Sequence, residues 1–82
     1  MTILLADLPD GAHATVLQLR AQGSELDPRQ LQRLGELGFL PGEPVQVLQR
    51  GPGGREPLAV VVGDTMFGLR LAEARCIAVT PD

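Results

Sequence analysis

The chain has no lysine, no tryptophan and no tyrosine, and it holds one histidine and one cysteine. Each shortage removes a class of function. All seven positive charges are arginines, scattered from Arg20 to Arg75, and the net charge is −3. Binding along a phosphate backbone needs a concentrated positive field, so nucleic acid is not an expected partner. An acidic chain is also repelled by anionic lipid surfaces. Phe39 and Phe67 are the only aromatic residues. Grooves that read proline-rich peptides and platforms that stack single-stranded bases are lined by aromatic side chains, so neither is expected here. Cys76 has no partner for an internal disulfide, which fits a reducing cytoplasm. No apolar run approaches the roughly 20 residues that cross a bilayer. The opening MTILLADLPDG has no basic region and only a brief apolar patch, and does not read as a signal peptide.

What is present is one small folded domain, 1–82, with 44% apolar and 21% charged residues. A domain of this size buries only about 60–65% of its unfolded surface, enough for one modest core. Pro9-Asp10-Gly11 marks a turn, and HATVLQLR (His13 to Arg20) reads as the first strand. The polar AQGSE then breaks the pattern. In LDPRQLQRLGELGF, Asp27 suits an N-cap, Pro28 the first helical position, and Gln30 the far side of a capping box. Leu26 and Leu31 take the positions of a hydrophobic staple, and Leu31, Leu34 and Leu37 recur along one face. Gly38 fits the left-handed position after the helix, with Phe39 placed to pack back on Leu34. Gly35 inside the helix costs about 1 kcal/mol relative to alanine, and leaves room for a strand or a partner to approach.

Beyond the Pro41-Gly42 turn the pattern is that of strands: EPVQVLQR, PLAVVV, TMFGLRL and RCIAVT, with Gly63-Asp64 as a two-residue hairpin turn. Thr65, Phe67, Leu69 and Leu71 fall on one side of the pleat. AEA is expected to form a single tight turn. The reading is mainly β: a small five-stranded barrel with one short helix inserted after the first strand, closure removing the exposed edges.

Little in this chain points to catalysis. GPGGRE lacks the Gly-Lys-Ser/Thr ending and the following helix of a phosphate-binding loop, and reads as a hairpin loop. Ser24 lies in a polar connector, Cys76 in an expected strand and His13 at a strand start, and no spacing joins them into a nucleophile and its base. Five aspartates and five glutamates are spread as on an ordinary solvated surface. One histidine and one cysteine cannot close a metal site without carboxylates from elsewhere. His13 with Asp10, or with a carboxylate of a second molecule, is the candidate for a weakly held divalent ion, weighed against a plain surface histidine.

Three stretches in order, LADLPDGAHATVLQL, LQRLGELGFLPGEPVQVLQR and VVGDTMFGLRLAEARCIAV, resemble the FeoA family, the small cytosolic partner of bacterial ferrous iron transport. The resemblance covers nearly the whole chain. It implies an SH3-like β-barrel with a helical insertion, and a non-enzymatic accessory protein that needs no cofactor. The partner it implies is the cytosolic GTPase domain of the ferrous iron membrane transporter, which would recruit a cytoplasmic protein to the inner membrane. The same domain type occurs fused to iron- or manganese-dependent repressors, and the family has no fixed set of iron ligands. The expected partner surface is the helix and its cap, Leu34, Gly35, Leu37, Gly38, Phe39 and Leu40, flanked by Arg29, Arg33 and Glu36. Staple, stripe and cap already explain the other leucines as core; Leu40 is the one they do not use, so its exposure separates interface from core. The alternative is a metal-responsive or metal-bridged dimer built on His13, with Cys76 as a further donor. A homodimer without metal is a third reading.

Overall fold

The computed structural model describes residues 1–20 and 26–82; the connector 21–25, with Ser24, lies outside them. Six strands, β1 (Ile3–Leu4), β2 (His13–Leu19), β3 (Pro44–Gly51), β4 (Arg55–Val62), β5 (Thr65–Leu69) and β6 (Ile77–Pro81), form one antiparallel sheet. Their order is β1-β6-β2-β3-β4-β5. Helix α1 (Pro28–Leu37) follows β2, and a four-residue helix α2 (Leu71–Ala74) links β5 to β6. Principal extents of 28, 26 and 24 Å show that the sheet is curled on itself.

Alternation builds the core. Val45 and Val47 of β3, Leu58, Val60 and Val62 of β4, and Ile77 and Val79 of β6 all turn inward and are buried, together with Leu34, Phe39 and Leu69. The hairpin Gly63-Asp64 joins β4 to β5, with Gly63 at φ 59° where a side chain would be strained.

Two β-bulges reset the alternation where it would fail. In β2 the pairing with β6 slips between Val16 and Gln18, leaving Leu17 as the extra residue and turning Leu19 toward the core. In β3 the pairing with β4 slips between Val47 and Gln49, leaving Leu48 extra and bringing Arg50 opposite the buried Leu58. Leu17 and Leu48 are accordingly exposed.

The expected strands and helix are present, with four corrections. Ile3–Leu4 adds a sixth strand, pairing with Val79 and Ala78; two residues are too few for any alternation to announce. TMFGLRL ends as a strand at Leu69, because Glu73 accepts from the Arg70 N–H and Glu56 from the Leu71 N–H, both at 2.9 Å, so Leu71 opens α2. The expected turn AEA belongs to that helix. Cys76 sits in the turn before β6 rather than in the strand, its N–H donating to the Glu73 carbonyl at 3.0 Å. The barrel is also not closed by a ladder among the described residues: β1 and β5 end the sheet without pairing with each other.

Candidate partner-binding site

The helix end is assembled as the local sequence dictates. The Asp27 side chain accepts from the Gln30 N–H, and the Gln30 side chain from the Asp27 N–H, each at 2.9 Å. Pro28 occupies the first helical turn, where its missing N–H costs nothing. Leu26 and Leu31 are half-buried against the core. At the other end Gly38, at φ 119°, terminates the helix; the Phe39 N–H donates to the Leu34 carbonyl at 3.2 Å and the Gly38 N–H to the Gly35 carbonyl at 3.1 Å. These are the paired bonds of a Schellman end. The Phe39 ring, fully buried, lies 6.0 Å from the Phe67 ring, tilted by 48°.

Burial divides the expected surface. Leu34 and Phe39 are core residues, and Leu37 is half-buried against them. Leu40 is 50% exposed. A Cβ built on Gly35 would lie 3.8 Å from the Leu19 Cδ1 and 4.0 Å from the Leu40 Cδ2, so Gly35 opens a shallow seam between two leucines. Sequence reading missed Leu19 as a neighbour of this region. Its signal was Leu17 directly after Val16, an apolar residue too many for a simple alternation. Arg29, Arg33 and Glu36 are exposed. Leu34 faces the core between two flanks of the helix: Gly35 faces the Leu19–Leu40 seam, whereas Gln30, Arg33 and Leu37 line a groove beside β5.

That groove has a volume of about 590 Å³ and runs between α1 and the segment Phe67 to Glu73. Leu26, Leu37, Phe67 and Ala72 supply its apolar lining, and Gln30, Arg33, Glu56, Arg70 and Glu73 its polar one.

Arg50 is a second residue that sequence reading missed. Its guanidinium donates to the Ala6 carbonyl at 2.6 Å and the Leu8 carbonyl at 3.0 Å, and pairs with the Asp10 carboxylate. One side chain thereby holds the short 3-10 turn Leu5–Asp7 and the chain beyond it against the barrel. Five donors in a fixed planar fork are what this requires, and lysine lacks them.

His13 stands exposed at the start of β2. Asp10, the nearest carboxylate in sequence, is engaged by Arg50. Cys76 is buried, its thiol donating to the Ala72 carbonyl at 3.4 Å. Among the described residues no three of His, Cys, Asp and Glu converge as a metal site. No helix among them is long and apolar enough to cross a membrane.

A small mainly β domain of SH3-like fold, with a capped helix presenting two lined flanks, is the class these features define. The FeoA domain model matches residues 3–81, so the chain belongs to the FeoA family, an accessory family associated with ferrous iron transport. The crystal structure of the Stenotrophomonas maltophilia FeoA complexed with zinc is similar, at 38% identity and TM-score 0.81, over 94% of this chain and 88% of that one. The solution structure of the Chlorobium tepidum FeoA protein is similar at 28% identity and TM-score 0.82, over 96% and 70% of the two chains. Iron(II) transport protein A from Clostridium thermocellum matches at 29% identity and TM-score 0.80, over 96% of this chain and 45% of that one. Among curated protein sequences nothing matches.

Proposed function

We propose that this chain is a non-enzymatic regulatory protein of bacterial ferrous iron uptake that docks on the cytosolic GTPase domain of the ferrous iron transporter. The docking surface is the Leu19–Leu40 seam at the end of α1, with Gly35 as its floor and Glu36 orienting the partner. The observation that carries this reading is Leu40. It is half-exposed while its neighbours Leu34 and Phe39 are core, and nothing in the cap requires an apolar side chain there.

Membership of a ferrous iron transport family supports the choice of partner, and the Stenotrophomonas maltophilia protein has been put forward as a ferrous iron transport activating factor. In this reading the protein works in the cytoplasm and reaches the inner membrane only through the transporter. A metal ion is not part of the contact. Covering the exposed part of one leucine contributes about 1 kcal/mol, so with its surroundings the seam suits a transient regulatory complex rather than a permanent one.

An NMR titration of the labelled chain with the GTPase domain tests the assignment. The expected result is selective shifts at Gly35, Gly38, Leu40 and Leu19. Shifts confined to His13 and the start of β2, dependent on added divalent metal, would overturn it in favour of the metal-bridged alternative.

A further inference from the structure

Backbone geometry accounts for most of the glycines. Gly38, at φ 119°, takes a conformation that side chains rarely adopt, and a Cβ on Gly51 would run into the Glu56 carbonyl. Gly35 answers to neither condition. It lies within α1, outside the left-handed region, and the atoms nearest to a Cβ built on it are Leu19 Cδ1 at 3.8 Å and Leu40 Cδ2 at 4.0 Å. Both are ordinary van der Waals separations, so alanine fits without any shift of its neighbours. Glycine is, after proline, the least favourable residue for a helix interior. The fold therefore carries an instability at Gly35 that its own packing does not ask for.

The missing methyl leaves a slot on the helix surface. Its sides are the ends of two leucines, Leu19 half-buried against the core and Leu40 half-exposed, and its floor is bare backbone. One carbon atom reaches ordinary contact with both sides at once, so the slot is one methyl group wide. The Gly35 carbonyl already accepts from the Gly38 N–H at 3.1 Å. A polar or charged group seated here would give up water for two hydrocarbon walls, at a net cost. An aliphatic group pays no such cost and gains dispersion contacts with the floor and both sides.

We propose that Gly35 sets the specificity of the docking surface: its bare backbone admits one aliphatic side-chain end of the transporter's GTPase domain between Leu19 and Leu40. This assignment rests on the transporter reading and gives the contact its chemistry and its size limit. An alanine methyl at position 35 would occupy the place where the incoming group comes closest to the helix. It would hold that group away from the floor and walls, and a gap of about 0.5–1 Å already forfeits a quarter to a half of each contact. Folding and binding therefore make opposite demands on this position: glycine is worse for the helix and better for the complex.

The test measures stability and binding on the same full-length variants. The parent, Gly35→Ala, Gly35→Gln and Leu40→Ser are melted, and each is titrated calorimetrically against the GTPase domain. Gly35→Ala is expected to melt about 2–8 °C above the parent and to bind about tenfold more weakly. Gly35→Gln, nearly as good a helix former but bulkier, is expected to bind at least about a hundredfold more weakly. A structural role alone would raise the melting temperature and leave binding unchanged. Parent-like binding by Gly35→Ala, with Leu40→Ser weakened, would overturn the inference and leave the docking surface standing. Equal losses in Gly35→Ala and Gly35→Gln would assign the effect to a stiffer helix rather than a filled slot, and would also overturn it. Failure of the parent itself to bind would overturn the transporter reading and this inference with it.

Discussion

Replacing Arg50 by methionine keeps the aliphatic stem and deletes the fork that clasps the N-terminal turn. Three interactions are lost: bonds to the carbonyls of Ala6 and Leu8 and the pair with Asp10. The Arg50 side chain is 15% exposed and that of Asp10 is 52% exposed, so the Coulombic part is screened and worth at most about 1 kcal/mol. The carbonyl bonds matter more. A hydrogen bond from a charged donor contributes about 1.5–3 kcal/mol, and an acceptor left without a partner in a partly buried place costs about 1–3 kcal/mol. Water can reach the edge of the turn and recover part of this, so the net loss expected for Arg50→Met is about 2–3 kcal/mol. In a domain this small that lowers the melting temperature by about 10–20 °C. Arg50→Lys keeps the charge without the fork and is expected to lose about half as much. Asp10→Asn is expected to cost under about 1 kcal/mol. The assay is urea unfolding followed by far-ultraviolet circular dichroism, comparing midpoints at constant slope. An Arg50→Met loss below about 0.5 kcal/mol, or an Asp10→Asn loss equal to it, would refute the reasoning: the fork would then be decoration, or the ion pair its substance.

Two of the glycines are expected to respond with opposite signs to substitution by alanine. Gly35→Ala puts a methyl into the seam at ordinary contact distances and removes a helix-interior glycine, stabilising the chain by about 0.5–1 kcal/mol in the same unfolding assay. Gly51→Ala would drive its Cβ into the Glu56 carbonyl, which only a backbone shift relieves, and is expected to cost well over about 1 kcal/mol. Asp27→Ala removes one half of the capping box and is expected to cost about 1 kcal/mol, with Asp27→Ser recovering most of it. Leu34→Ala, in the core, is expected to cost about 2–5 kcal/mol, whereas Leu40→Ser stays within about 1 kcal/mol of the parent. Thermal melts of the two side by side check the division between core and surface.

The features that could be read from the sequence are those made within a few residues. The Asp27–Gln30 box, the Gly38–Phe39 end of α1 and the Gly63-Asp64 hairpin each depend on neighbours no more than five positions apart, and each is present. The strands of β2, β3 and β4 announced themselves by alternating valines and leucines. What escaped depends on partners far along the chain. β1 is a strand only because β6 lies beside it. The inward turn of Arg50 follows from a bulge at Leu48 that exists only in the pairing with β4, and its acceptors are some 40 residues away in sequence. In the candidate site, Leu40 stood out because no local motif used it. The Leu19 contribution did not stand out, since a bulge decides which of Leu17 and Leu19 turns inward. The separation of Arg33 from Leu40 onto different flanks was also hidden, because helical spacing gives faces but not what packs against them.

The most direct test of the central claim is calorimetric titration of this chain with the cytosolic GTPase domain of its host's ferrous iron transporter, repeated with Leu40→Ser and with a chelator present. The account predicts saturable binding that weakens about tenfold in Leu40→Ser and is indifferent to chelation. Absence of binding, or binding that survives Leu40→Ser but vanishes with chelator or with His13→Ala, would contradict it.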